Sequence, residues 1–407
     1  MLANNSVCII DGKRTPFGKF YGAFRDIPAP MLAAYILRTF SEQLAEEYGI
    51  NREHNIHQVI LGNVIQAGIG QNPARQAALA AGLSVGTSAL TVNKVCSSGL
   101  LSVKLAAQAI ACDDADIIAA GGMENMSLAP YFIKRPQKKV YGDVLFSSAN
   151  TYFDFGAEEI VRDGLSDGLH DAYGNGAMGR IGELCAKVSR ISREAQDAYA
   201  YESYRRAFHA IDDPAFYEQI ESGDMPIVRD EEIHEPDLQR MQSLSPVFES
   251  SRGTITAANA SKLSDGAAIL LLASSAFAEW IGMRTLARIS AFAEYSDEPK
   301  LFPTAPTYAI KKVLQQANLP VTAIDLFEIN EAFALVPIYA MRELSIPHDK
   351  VNIWGGAISV GHPLGASGAR ILMNLVYALR AKGKKRGIAA LCNGGGEAVA
   401  VLVEVDD

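Results

Sequence analysis

Val59-Ile60-Leu61-Gly62-Asn63 opens the stretch that decides the fold. It leads through a helix-like segment, Ser98–Ile110, to Asp116-Ile117-Ile118-Ala119-Ala120-Gly121-Gly122. The same plan returns near the end of the chain. Leu326-Phe327-Glu328-Ile329-Asn330 leads through Ser367–Leu379 to Gly387-Ile388-Ala389-Ala390-Leu391-Cys392-Asn393-Gly394-Gly395. Each copy holds an apolar strand, a mostly buried helix and an apolar strand stopped by glycines. Short β-rich runs alternating with helical ones predict βα units around a largely buried sheet. The shared order predicts two related α/β halves.

The segment between the copies reads differently. Asp163–Gly179 contains five glycines and several acidic residues, which predicts irregular, mobile structure. Arg193 to Ala210 then reads as a helix started by Ser192. Such an insertion can cover a site formed by the two halves, or can be a surface elaboration without function.

Bulk properties bound the function classes. At 407 residues the chain exceeds the roughly 250–300 at which one core stops growing, so two or three domains are expected. Hydrophobic residues at 49% and charged residues at 20% describe an ordinary globular chain. The net charge of −9 argues against a general nucleic-acid binder. Ala267–Ala278, the most apolar stretch, is interrupted by serines and too short to span a bilayer. The start, Met1-Leu2-Ala3-Asn4-Asn5-Ser6, lacks the basic and apolar regions of a secretory signal. The five cysteines include no CxxC pair, so free thiols in a reducing, cytoplasmic compartment are expected.

Four segments can carry chemistry. In Val92-Asn93-Lys94-Val95-Cys96-Ser97-Ser98-Gly99-Leu100, a cysteine ends an apolar strand at the mouth of a helix. Free N–H groups and the positive helix end favour a thiolate there. An inert buried cysteine, the default for Cys8, Cys112 and Cys185, is the competing reading, and the segment alone leaves both open. In Gly355-Gly356-Ala357-Ile358-Ser359-Val360-Gly361-His362-Pro363-Leu364-Gly365-Ala366-Ser367-Gly368, glycines and a proline frame a single histidine. A backbone specified that tightly aims the imidazole, whose pKa suits a general base. Leu391-Cys392-Asn393-Gly394-Gly395-Gly396-Glu397 sets a second thiol beside bare N–H groups able to form an oxyanion hole; a plain tight turn is the alternative. Asn330-Glu331-Ala332-Phe333-Ala334 places an asparagine at a strand end, where it can hold a water or polarise a carbonyl.

Together these segments resemble the thiolase family, and within it the acetyl-CoA acetyltransferases. The resemblance runs from Lys13-Arg14-Thr15-Pro16-Phe17-Gly18 to the closing glycine motif. It includes Gly121-Gly122-Met123-Glu124-Asn125-Met126-Ser127 and Gly253-Thr254-Ile255-Thr256-Ala257-Ala258-Asn259-Ala260-Ser261. It implies an α/β fold of five layers: two βαβαβαββ halves with an inserted loop domain. The N-terminal half would be residues 1–123 completed by 264–284, the loop domain 124–263, and the C-terminal half 285–407.

The resemblance also implies an acyltransferase that reversibly condenses two acetyl-CoA molecules through an acyl-enzyme. Cys96 would be acylated, His362 would take its proton, and Cys392 would move the methyl proton of the second acetyl-CoA. Asn330 would hold a water that helps His362 stabilise the enolate, and the N–H groups of Cys96 and Gly394 would form an oxyanion hole. On the coenzyme A side it implies Ser261 at the pantetheine, Phe333 near the acyl pocket, and Ala257 and Met178 beside them. No metal takes part in the chemistry. Some members bind potassium through a tyrosine and backbone carbonyls, at positions matched here by Tyr204, Ala257, Ala258, Ala260 and Ile358. A homotetramer, a dimer of dimers, is the expected assembly. The basic run Lys134-Arg135-Pro136-Gln137-Lys138-Lys139 reads as a solvated loop, with coenzyme phosphates as its alternative partner.

Two departures bear on chain length. Members usually carry His-Met-Gly where this chain has Ala177-Met178-Gly179, and Val-Asn-x-Asn-Gly-Gly where it has Val351-Asn352-Ile353-Trp354-Gly355-Gly356. The nearest rival is a degradative 3-ketoacyl-CoA thiolase of longer chain preference. A decarboxylating ketoacyl synthase does not account for Cys392, nor does a simple cysteine hydrolase. A non-catalytic binding protein of this type is expected to lack one of Cys96, Asn330, His362 or Cys392, and all four are present.

Overall fold

The two predicted copies form two sheet halves of matching strand order. The structure, a computed structural model, describes residues 6–52, 56–133, 161–250 and 252–405. The N-terminal half contains strands β1 (Val7–Arg14), β2 (Gln58–Gly62), β3 (Ser88–Val92), β4 (Ile117–Asn125) and β5 (Ser264–Ser274), with helices α1 (Ala29–Tyr48), α2 (Pro73–Ala80) and α3 (Ser98–Ala111). Its strands lie side by side in the order β3-β2-β4-β5-β1. The β2–β3 and β2–β4 pairs are parallel, whereas β5 runs antiparallel to both β4 and β1. Between β4 and β5 the chain makes helices α4 (Met178–Ser189) and α5 (Arg193–Ala210). The Ser192 hydroxyl caps α5 by accepting from Ala195 N–H.

The C-terminal half repeats this arrangement. Strands β6 (Ala287–Ser296), β7 (Leu326–Ile329), β8 (Arg386–Asn393) and β9 (Glu397–Glu404) take the order β7-β8-β9-β6. Val351 bridges to Phe327 in parallel, at the place that β3 holds in the first half. Helices α6 (Ala305–Ala317), α7 (Leu335–Leu344) and α8 (Leu364–Ala381) complete the half. The sheets join where Val7–Ile9 of β1 pairs with Ala287–Ile289 of β6.

Three buried cores define five layers. One lies between α1, α2 and the first sheet, one between α6, α7 and the second sheet. The third encloses α3 and α8 between the two sheets. Every residue of α8 from Leu364 to Leu379 is buried, which explains why its sequence is apolar nearly all round. Ala267–Ala278, singled out above, is mostly the wholly buried strand β5. Among the described residues, no helix is long and apolar enough to cross a membrane.

The start of α8 meets both α3 and β4 backbone to backbone. A Cβ on Gly122 would lie 1.9 Å from the Gly365 carbonyl oxygen, and one on Gly99 would lie 2.6 Å from it. Only glycine permits that approach. It brings the N-terminus of α3, just after Cys96, against the N-terminus of α8, just after His362.

Two sequence expectations need correction. Asp163–Gly179 is not irregular: it forms a short helix, Gly164–Gly168, and a two-strand ribbon, His170–Asp171 with Gly176–Ala177. The Asp171 carboxylate closes the ribbon's turn by accepting from Tyr173 N–H and Asn175 N–H at 3.0 Å each. Cys112 is exposed, because it follows the last buried residue of α3, Ile110, at the helix's C-terminal cap. The basic run 134–139 lies outside the described residues.

Candidate active site

Cys96 sits on a strained turn. The chain leaves β3 at Val92 and enters α3 at Ser98, and Val95 between them has φ +50°. A β-branched residue in the left-handed region costs about 1–3 kcal/mol and persists only where its surroundings force it. Here Asn93 Oδ1 accepts from Val95 N–H at 2.9 Å, Ser98 Oγ accepts from Lys94 N–H at 2.8 Å, and the Ser98 hydroxyl donates to Val95 O at 2.6 Å. The turn lifts Cys96 out of the strand and leaves it half-buried. Burial pushes its thiol up to about 12, while the N–H groups of Cys96 and Gly394 face the sulfur and pull the other way. The two donors named from sequence therefore converge on one point.

Cys392 arrives from the second half. It lies near the end of β8, opposite Ala398 of β9, wholly buried. Burial first, and then the nearby Cys96 sulfur, holds its thiol well above the ordinary value. The hairpin turn that follows carries Gly394. A Cβ there would meet Met178 Sδ at 3.3 Å and Val95 Cγ1 at 3.8 Å, so the first residue of α4 lies over the Gly394 turn.

His362 is held neutral. Its N–H donates to Lys262 O at 3.0 Å and Ser264 Oγ at 3.2 Å. Its Nδ1 lies 2.5 Å from Ser367 Oγ, whose own proton goes to Pro363 O at 2.8 Å. The hydroxyl thus accepts from Nδ1–H, which leaves a lone pair on Nε2. That Nε2 is buried and has no protein partner. Burial, and secondarily the Arg370 charge, hold the imidazole down at about 3, so it rests unprotonated.

Asn330 follows β7, its N–H on Ala390 O at 2.9 Å. Arg370 of α8 donates to Asn330 Oδ1 at 3.3 Å, which leaves the buried Nδ2 as an unpartnered donor. Arg370 in turn faces Glu328, 3.7 Å away and lifted by burial to about 8. Asn330 Nδ2 and His362 Nε2 are two of the few buried polar atoms without a protein partner among the described residues. Buried polar groups left open in this way need a ligand or water.

Several residues with positioning roles were not legible in the sequence. Glu124 accepts from Asn63 Nδ2 at 2.7 Å, Val64 N–H at 3.0 Å, Ile65 N–H at 3.1 Å and Gly365 N–H at 2.9 Å. It thereby ties the first half to the start of α8. Burial raises its carboxyl to about 7, against the pull of those N–H groups. Ser367 and Arg370 orient His362 and Asn330. Their only sequence signal is polarity inside an otherwise apolar helix.

On the expected coenzyme A side, Ser261 donates its N–H to Ala332 O at 3.1 Å, and Ala260 bridges Phe333. Phe333 is buried beside Gly182 of α4, with Phe248 and Phe302 nearby at 6.4 and 6.5 Å between ring centroids. Trp354, one of the two departures, packs its ring edge-on against Phe216 in the central core.

The residues matched to potassium do gather: Tyr204, Ala258 and Ile358 share one buried cluster. Yet the Ala257 carbonyl already accepts from the Lys262 ammonium, which also lies 5.7 Å from the centre of the Tyr204 ring. A metal cation would meet that ammonium, so the set does not fit potassium. Among the described residues, no group of three or more His, Cys, Asp or Glu side chains is placed to hold a metal ion.

Comparisons with known proteins agree with this geometry. Residues 7–276 match the model of the thiolase N-terminal domain and residues 283–405 that of the thiolase C-terminal domain. An acetyl-CoA acetyltransferase of Schizosaccharomyces pombe is 40% identical, covering 99% of this chain and 100% of its own. A mitochondrial acetyl-CoA acetyltransferase of Mus musculus is 41% identical over 98% of this chain and 91% of its own. The crystal structure of the Bacillus anthracis acetyl-CoA acetyltransferase matches with TM-score 0.88 and 32% identity, each chain covered completely. With both duplicated halves matched by thiolase domain models, and with relatives matched end to end, the chain belongs to the thiolase family of acyltransferases.

Proposed function

We propose that the chain is an acetyl-CoA C-acetyltransferase that reversibly joins two acetyl-CoA molecules into acetoacetyl-CoA and coenzyme A. The observation that carries this reading is the meeting of two thiols of different setting. Cys96 lies under two backbone N–H donors, and Cys392 is buried beside it. An acyl transfer to water needs only one thiol and a base; carbon–carbon bond formation needs a second group to move a proton on carbon.

The residues divide the steps as follows. His362 Nε2 takes the Cys96 proton as the sulfur attacks the thioester carbonyl, and the N–H groups of Cys96 and Gly394 hold the tetrahedral oxyanion. The carbon–sulfur bond to coenzyme A breaks, and Cys392 protonates the leaving thiolate. The Cys392 thiolate then removes a methyl proton from the second acetyl-CoA. The enolate oxygen is held by His362 Nε2–H and by a water on Asn330 Nδ2. Its carbon attacks the acetyl group on Cys96, through the same oxyanion hole, and the expelled Cys96 thiolate regains its proton from His362. All protons are returned.

The low basicity of His362 suits this sequence. A buried imidazolium is disfavoured except while a thiolate or enolate lies against it. Ser261, Ala257, Phe333 and Met178 are assigned to the coenzyme A and acyl side. The domain division 1–123 with 264–284, 124–263 and 285–407 is supported by the pairing of β5 with β1 and β4. We read the protein as cytoplasmic, in keeping with five free thiols. We also read it as a homotetramer, for which the half-exposed edge strand β3 offers one pairing surface.

The test is the rate of thiolysis by coenzyme A on 3-ketoacyl-CoA substrates of increasing length. A sharp preference for the four-carbon substrate is expected. A long-chain optimum would overturn the acetyltransferase reading in favour of a degradative one.

A further inference from the structure

We propose that Lys262 is a tethered cation, whose ε-ammonium organises the loop 257–261 from within the chain and makes the enzyme independent of potassium. Two contacts carry this. The ammonium donates to the Ala257 carbonyl, one of the groups a bound potassium would need. It lies 5.7 Å from the centre of the Tyr204 ring, a distance at which a cation is attracted to the aromatic face. Burial lowers its pKa below the ordinary lysine value, with the Glu232 charge raising it again. Tyr204 is itself buried and backed by the His234 ring at 4.8 Å.

The backbone of Lys262 gives this cation a functional reach. Its N–H donates to Ala357 O at 3.2 Å, and its carbonyl accepts from His362 N–H at 3.0 Å and from the Ser264 hydroxyl at 3.1 Å. The residue before it, Ser261, lies on the assigned pantetheine side and is fixed to Ala332. One residue therefore joins the loop 257–261, α5 through Tyr204, and the backbone of the catalytic histidine. A mobile metal ion holding the same carbonyls would do this only when bound. A covalently attached ammonium does so at every salt concentration, and repels a second cation from the same few ångströms.

Melting temperature and thiolysis rate of the full chain are measured in tetramethylammonium chloride, with potassium chloride replacing it at constant ionic strength. For the wild type, the melting temperature is expected to move by less than about 1 °C and the rate by less than about 1.5-fold, as for a protein with no specific site. Lys262→Ala is expected to melt lower, to have a raised KM for the acyl-CoA, and to recover with potassium or methylammonium. A wild type stabilised and activated by potassium would overturn the proposal. So would a Lys262→Ala protein that melts like the wild type or responds to neither cation. If that variant does not fold, Lys262→Met is measured in its place and judged by the same outcomes. The melting arm requires no turnover, so it stands or falls separately from the choice of acetyl-CoA as substrate.

Discussion

Lys94, two residues before Cys96, places its Nζ 3.0 Å from Glu397 Oε1, just past the glycine turn that carries Gly394. The same ammonium lies 3.0 Å from Glu294 Oε2, and Glu294 also pairs with Lys104. Glu397 is further held by Asn393 Nδ2 at 3.3 Å and the Ser296 hydroxyl at 3.1 Å. The pairing joins the turn that carries Cys96 to the hairpin of the second thiol, across 303 residues of sequence. Lys94→Met is therefore expected to lower kcat by about tenfold, the equivalent of about 1.4 kcal/mol. In a double-mutant cycle with Glu397→Gln, a coupling of about 0.5 kcal/mol or more is expected. Additive effects would mean that the pair does not position the turn.

Ser367→Ala removes the acceptor that fixes the His362 tautomer. Loss of one hydrogen bond of about 1–1.5 kcal/mol in the transition state predicts a kcat about tenfold lower, with KM little changed. Ser367→Thr keeps the hydroxyl and is expected to restore most of the rate. A Ser367→Ala enzyme of full activity would remove Ser367 from the positioning of His362.

Gly122→Ala tests the backbone contact at the centre of the molecule. Its new Cβ would fall 1.9 Å from Gly365 O, against backbone that cannot move without separating β4 from α8. A loss of stability of about 3 kcal/mol or more is expected, read from chemical denaturation. A variant as stable as the wild type would show that β4 and α8 do not touch there.

Much of this arrangement is legible in the sequence because it depends on local pattern. The duplication shows in β2, α3 and β4 against β7, α8 and β8. Cys96 shows at a strand–helix junction, and His362 in its frame of glycines. What stayed hidden depends on contacts distant in sequence. Glu124 reaches Gly365 across 241 residues, and nothing around Glu124 marks it as a clamp. The left-handed Val95 runs against its own preference, so no propensity announces it. Nothing in the sequence around Lys262 marks it out, since its role depends on the distant Tyr204. The ribbon at 170–177 was missed because glycine-rich composition reports freedom of the chain, not the single carboxylate, Asp171, that closes it.

The resting pair also makes a prediction about pH. With the Cys96 thiol raised to about 12 and His362 lowered to about 3, the free enzyme holds a protonated thiol and a neutral imidazole. The thiolate fraction then rises about tenfold per pH unit well below the thiol pKa. Alkylation of Cys96 by iodoacetamide is expected to climb at that slope between about pH 7 and about pH 9. A rate that is flat across this range would instead indicate a preformed thiolate–imidazolium pair.

The division of labour between the two thiols is tested most directly by intact-protein mass spectrometry after mixing with acetyl-CoA. Wild type and Cys392→Ala should each gain one acetyl group, the variant more slowly, and only the wild type should go on to form acetoacetyl-CoA. Cys96→Ala should gain none. An acetyl group accumulating on Cys96→Ala at the wild-type rate would contradict the account, because the nucleophile would then lie elsewhere.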